Sequence, residues 1–196
     1  GDAYEQMSEN GTLLLAIGLP SAVGLGMLST EFGTLFLGQE FREAGIKLLP
    51  WIAGGALLSG IRAYHYDLAF QLGNRTVNQV WVLGGAAVAN LGLNLWLIPL
   101  FGVMGAAYAT IASYAIALVL SIGVGRKVLR VPLVPEGWYK VAASTFVMAL
   151  VVYMVNVDGV FLSLAVSIGV GGITYLVGAY VTDLLGAREI VAKIIS

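Results

Sequence analysis

Fifty consecutive residues, Thr76 to Gly125, carry no charge, and Arg75 and Arg126 bound the run. A soluble domain carries about one charged residue in four. A water-exposed surface cannot be built from such a stretch, and lipid is its better solvent. The run is too long for one crossing, which needs about 20 residues. A break is legible in IPLFGVMGAA (98–107). Pro99 is expected to stop one helix and Gly102 to make the turn. Two spans follow, 78–98 and 103–125.

The rest of the chain is punctuated in the same way. Asn10 to Thr30 is uncharged, with Pro20 inside it, and reads as a span over 10–30. A second span is expected over 48–67, with Arg62, His65 and Asp67 near its far end. A fifth run covers 141–157, Asp158-Gly159 is a turn signal, and a sixth covers 160–182. Residues 31–47 hold five charges around a small apolar cluster and read as an interfacial connection. Residues 126–140 form a basic loop with two prolines, and the tail from 183 is amphipathic. The expected fold is an all-α polytopic transmembrane bundle of about six spans.

Composition agrees: 59% of the 196 residues are hydrophobic and 11% charged, with a mean hydropathy of +0.89. Twenty-six glycines suit helices that approach closely in lipid. Trp51, Trp81, Trp96, Trp138 and Tyr139 lie near the ends of apolar runs, where interfacial belts form.

Basic residues orient the spans. Arg75, Arg126, Lys127, Arg130, Lys140, Arg188 and Lys193 fall on the side that holds the ends of the chain, and Arg42 and Lys47 on the other. The positive-inside rule makes the first side cytoplasmic, so the turns at 99–102 and 158–159 are expected to face outward. The chain begins with Gly1 and lacks a signal-peptide pattern, which reads as a piece whose earlier part is missing.

Several classes are argued against. A net charge of −1 offers no basic field for nucleic acid. Without cysteine and with one histidine, no thiolate site and no multi-histidine metal site is expected. No phosphate-binding G-x-x-x-x-G-K-[ST] loop is present, and no carboxylates are paired within the spans, so neither cofactor nor enzymatic centre is expected.

The stretch NLGLNLWLIPLFGVMGAAYATIASYAIAL (90–118) resembles the polysaccharide-exporter branch of the multidrug/oligosaccharidyl-lipid/polysaccharide superfamily. It carries an Asn, a hydrophobic run, Ile-Pro, a glycine turn, Gly-Ala-Ala and then Thr. FLGQEFREAGIKLLPWIAGGALLSGIRAY (36–64) is similar to that branch as well. The resemblance implies helices nine to fourteen of a fourteen-helix exporter, with a missing N-terminal half. It implies flipping of a polyprenyl-diphosphate-linked oligosaccharide across the inner membrane by alternating access.

Within that frame Arg62 is the candidate contact for the lipid diphosphate, because a guanidinium matches phosphate geometry. Two other readings stay open: Arg62 snorkels to headgroups, or it pairs with a carboxylate from a missing helix. On an α-helical wheel His65 and Tyr66 share the face of Arg62, while Asp67 points about a third of a turn away. His65 and Asp67 are candidates for ion coupling, or are polar residues of the helix mouth. Asn90 and Asn94, four apart, either bond a neighbouring helix or line a sugar cavity. Gly102, Ala106, Thr110 and Ser113 form a small-residue stripe expected to pack closely, with Gly105 and Ala109 beside it. The competing functions are export of a drug or a peptidoglycan lipid precursor, a polyprenyl-dependent glycosyltransferase, and a structural assembly factor.

Overall fold

The computed structural model describes residues 2–129 and 134–195; Arg130 and Pro132 of the basic loop lie outside these. The described residues are helical apart from short connections, and no strand occurs among them. The elements are α1 (Asp2–Met27), α2 (Ser29–Phe36), α3 (Gln39–Ile61), a π-helical turn (Arg62–Tyr66) and α4 (Leu68–Leu72). They continue with α5 (Thr76–Phe101), α6 (Val103–Gly125), α7 (Trp138–Met154), α8 (Val160–Val181), a 3-10 turn (Leu184–Gly186) and α9 (Ala187–Ile195).

Five helical stretches are long and apolar enough to cross a membrane: Ser8–Met27, Gln39–Leu72, Thr76–Phe101, Val103–Gly125 and Val160–Val181. Trp138–Met154 is a shorter apolar helix packed along α8. Many of the large apolar side chains, among them Val88, Leu95, Trp96, Tyr153 and Ile173, are exposed. An apolar exterior of this extent belongs in lipid, and the molecule is a membrane-embedded helical bundle.

Two expected boundaries are corrected. Residues 31–47 are not a plain connection: α2 ends at Phe36 and α3 starts at Gln39. Glu31 lies on α2, and Glu40, Arg42, Glu43 and Lys47 ride on the first turns of α3, where Lys47 bonds Glu43 one turn back at 2.8 Å. Pro99 does not stop its helix either, since α5 runs through it to Phe101. A proline lacks only its own amide and clashes with the turn before it, and membrane helices tolerate that loss. The turn itself is made by Gly102, whose φ of 59° and ψ of −135° lie where a side chain is not accommodated.

The six long helices lie side by side in the order α5, α6, α3, α1, α7, α8, with α2 touching α3 and α8 at one end. Helices consecutive along the chain alternate direction, so in this lateral order α6 runs parallel to α3 and α1 parallel to α7, and the connections collect at two ends. At one end Glu136 donates its amide to Ser8 Oγ at 2.8 Å and accepts from the Thr12 hydroxyl, while Lys140 Nζ donates to the Asp183 carbonyl at 3.1 Å. At the other, Ser163 Oγ donates to Glu31 Oε1 at 3.3 Å. Arg75, Arg126, Lys127, Lys140, Arg188 and Lys193 all belong to the first end.

Close packing rests on α6. Its buried residues are Gly105, Ala109, Ser113, Ala117, Ser121 and Gly125, one small residue every fourth position. Of the expected stripe, Ser113 lies in this seam and Gly102, Ala106 and Thr110 do not; their places are taken by Gly105 and Ala109, expected beside it. On a straight helix each step of four turns the seam by about 40°. It starts against α5, where a Cβ on Gly105 would collide with the Leu97 carbonyl. It ends against the π turn and α4, where a Cβ on Gly125 would touch Ala69 and the Tyr66 carbonyl.

Gly105→Ala is expected to destabilise the bundle by about 1–3 kcal/mol, because the obstacle is backbone. Thermal unfolding in detergent measures it. Gly92→Ala, on the same helix pair where a Cβ meets open space, is the control and leaves the transition unchanged or slightly raised.

Candidate functional site

The polar centre of the bundle is the π turn. A regular α-helix places residues five apart about 140° from each other around the axis. Here the Asp67 amide bonds the Arg62 carbonyl at 2.9 Å, the i→i+5 closure of a π turn. That closure brings the two positions onto one face, and Arg62 Nη1 donates to Asp67 Oδ2. The same pair of residues is thus bonded through backbone and through side chains. The wheel drawn for an α-helix, which separated Asp67 from Arg62, fails for this reason.

Asp67 is fully buried, and the Arg62 side chain keeps 12% of its surface exposed. The carboxylate collects donors from two further helices. Gln79 Nε2, in the first turn of α5, donates to Oδ2 at 3.1 Å. Ser121 Oγ, in the small-residue seam of α6, donates to Oδ1 at 2.7 Å. A buried carboxylate must be met this way or be neutralised. The partner of Arg62 is therefore five residues along the same chain.

His65 and Tyr66 are also buried, with their rings edge to face at 4.8 Å between centroids. His65 lies against α1 at Gly11, where a Cβ would come within 2.6 Å of His65 Nδ1 and 2.7 Å of Pro135 Cγ. The glycine admits the imidazole and the 134–137 connection together.

Asn90 and Asn94 are elsewhere. Eleven residues separate Gln79 from Asn90, about 16 Å along the helix. Asn90 Nδ2 donates to Ser113 Oγ at 3.0 Å, and that hydroxyl donates to the Thr110 carbonyl at 2.8 Å. Asn94 Nδ2 donates to the carbonyl and the Oδ1 of Asn90, both at 2.9 Å. Asn90 ties α5 to α6, one of the two uses expected for the pair, while both bonds of Asn94 stay within α5.

A cleft of about 670 Å³ runs between α3 and α6, lined by Trp51, Gly55, Ser59, Tyr64, Thr110 and Tyr114 among others. Arg62, Tyr66, Asn90 and Asn94 are not among its lining residues. The expected site residues thus divide into a joint at one end of the bundle and an amide pair within it. Gln79 and Ser121 were not anticipated. Ser121 had a usable signal, since it continues the four-residue spacing of Ala109, Ser113 and Ala117. Among the described residues, no group of three or more His, Asp or Glu side chains is placed to hold a metal ion.

Set against family models, curated proteins and solved structures, the chain matches none. The site defines the class: a membrane-embedded helical bundle with a charge pair buried at a π-helical break.

Removing one partner of a buried pair costs about 3–5 kcal/mol, while replacing both with apolar groups can be neutral. Asp67→Ala is expected to lower the unfolding temperature clearly. Arg62→Met with Asp67→Leu is expected to recover most of the loss in the same thermal assay. Gly11→Ala should also destabilise, through the His65 contact.

Proposed function

We propose that this chain forms part of a membrane transporter that moves a polyprenyl-diphosphate-linked oligosaccharide across the cytoplasmic membrane by alternating access. The observation that carries the transport reading is the Arg62–Asp67 pair, buried in an apolar bundle at a π turn. Ionisable residues inside a membrane are costly and concentrate at the pathways and moving parts of transporters, and π turns are frequent at functional sites. The cargo comes from the resemblance at residues 36–64 and 90–118. Arg62 uses one nitrogen on Asp67, and a guanidinium has five N–H donors, so the same side chain has donors left for a diphosphate oxygen. Chemistry on the cargo is not part of the proposal.

In this reading the end bearing Arg75, Arg126, Lys127, Lys140 and Arg188 faces the cytoplasm, and its cations attract anionic headgroups. The 155–159 connection faces outward. A topology reporter fused after Gly159 is expected to be active only outside the cytoplasm; a cytoplasmic signal there would reverse the map.

The transport reading is tested with the natural full-length polypeptide in liposomes holding a fluorescent polyprenyl-diphosphate oligosaccharide. Quenching from outside measures how fast label crosses. Protein is expected to accelerate crossing well above protein-free liposomes. Arg62→Ala is expected to slow it about tenfold or more, since a hydrogen bond to a charged group is worth about 1.5–3 kcal/mol. Equal rates with and without protein would sink the proposal.

A further inference from the structure

Pro20 lies inside α1 and has no amide to offer the Ala16 carbonyl one turn back. In lipid that carbonyl needs another donor, and neighbouring helices or hydroxyl side chains supply one. Tyr175 Oη, from α8, donates to the Ala16 carbonyl at 2.7 Å. The next carbonyl, that of Ile17, takes the Ser21 hydroxyl at 2.6 Å from within α1. The break is completed partly by its own helix and partly by another.

α8 is not the helix beside α1: α7 stands between them, packed along both. The spacing on α8 shows how Tyr175 reaches across. Gly171, Tyr175 and Gly178 are four and three apart and share one face. A Cβ on Gly171 would come within 2.9 Å of Val152 Cγ2, and one on Gly178 within 3.0 Å of Ser144 Cβ, both on α7. The two glycines seat α8 on α7, and the large ring between them extends past it. There the ring packs beside the buried Ala16, Val141 and Leu184. Pro20 and Tyr175 also line one cavity, about 480 Å³ between α1, α7 and α8.

We propose that Tyr175 is a strap with two separate effects. Its hydroxyl stands in for the amide that Pro20 lacks, and so completes α1. The same bond ties α8 to α1 and closes α1, α7 and α8 into a three-helix unit. The two residues are useful as a pair. The break without the hydroxyl leaves a bare carbonyl in lipid, and the hydroxyl without the break meets a carbonyl that already holds an amide. A restored amide replaces the first effect and not the second. The inference does not rest on the cargo and stands whether or not an oligosaccharide is carried.

Thermal unfolding of the full chain in detergent reads the first effect. Tyr175→Phe keeps the ring and removes the donor, and is expected to lower the transition by about 2–4 °C, the scale of one lost hydrogen bond in a chain of this size. Pro20→Ala supplies an amide, so in that background the shift is expected to fall to about half or less. Electron resonance distances in nanodiscs read the second effect. The chain has no cysteine, so Leu13→Cys on α1 and Ile173→Cys on α8, both exposed, take spin labels cleanly. Tyr175→Phe is expected to widen the distribution of distances between them, and Pro20→Ala added to it is expected not to narrow that distribution again. Tyr180→Phe, at an exposed position of the same helix, is the control and is expected to change neither reading.

The strap is overturned by a Tyr175→Phe protein whose transition or distance distribution stays unchanged, by a thermal shift of equal size in the Pro20→Ala background, by a distribution that Pro20→Ala narrows again, or by a Tyr180→Phe protein that changes as much as Tyr175→Phe. If Pro20→Ala does not fold, Tyr175→Phe against Tyr180→Phe decides in both measurements.

Discussion

A carboxylate kept from water inside an apolar bundle has to be answered by donors from its surroundings, and most of the arrangement at one end of this molecule follows from that. Asp67 cannot be satisfied by its own helix in α register. It takes Arg62 through a π turn, Gln79 from the start of α5 and Ser121 from the end of α6. Three helices are thereby fastened at one pair of oxygens. The backbone irregularity is the geometric condition for the charge pair and is explained by it.

Access to Asp67 depends in turn on how closely α6 approaches. Lipid gives helices no hydrophobic reason to associate, so contact area and hydrogen bonds decide. The small residues from Gly105 to Gly125, spaced by four, bring the α6 backbone near α5 at one end and near α4 at the other. A larger side chain at 121 would fill the space Asp67 uses and supply no donor. Asn90 performs a comparable service halfway along, where Ser113 of the same seam accepts its amide. One stripe therefore supplies both the close approach and two of its polar contacts.

Five of the six expected spans were legible in the sequence because charge is so costly in lipid that its absence marks them; the run at 141–157 forms the shorter α7. The span expected over 103–125 coincides with α6, and Asp158-Gly159 separates α7 from α8. What escaped was whatever depends on departures from ideal geometry. Pro99 reads as a stop, yet the last turn of α5 absorbs it. Of the stripe expected at Gly102, Ala106, Thr110 and Ser113, Ser113 lies in the buried seam and the other three do not, since composition alone does not say which face of α6 meets α5. Arg62 and Asp67 were separated by an α-helical wheel that the π turn makes invalid. No residue in RAYHY announces a π turn by type; its cause lies in Gln79 and Ser121, twelve and 54 residues beyond Asp67.

The residues around the π turn pack closely against it. Gly11 faces His65 from α1, and Gly125 and Ala69 face each other across α6 and α4. Next to the turn, Ser8 and Thr12 hold the Glu136 backbone and Lys140 holds the Asp183 carbonyl. The π turn is thus set in a frame whose bonds each engage a backbone group, at Glu136 or at Asp183.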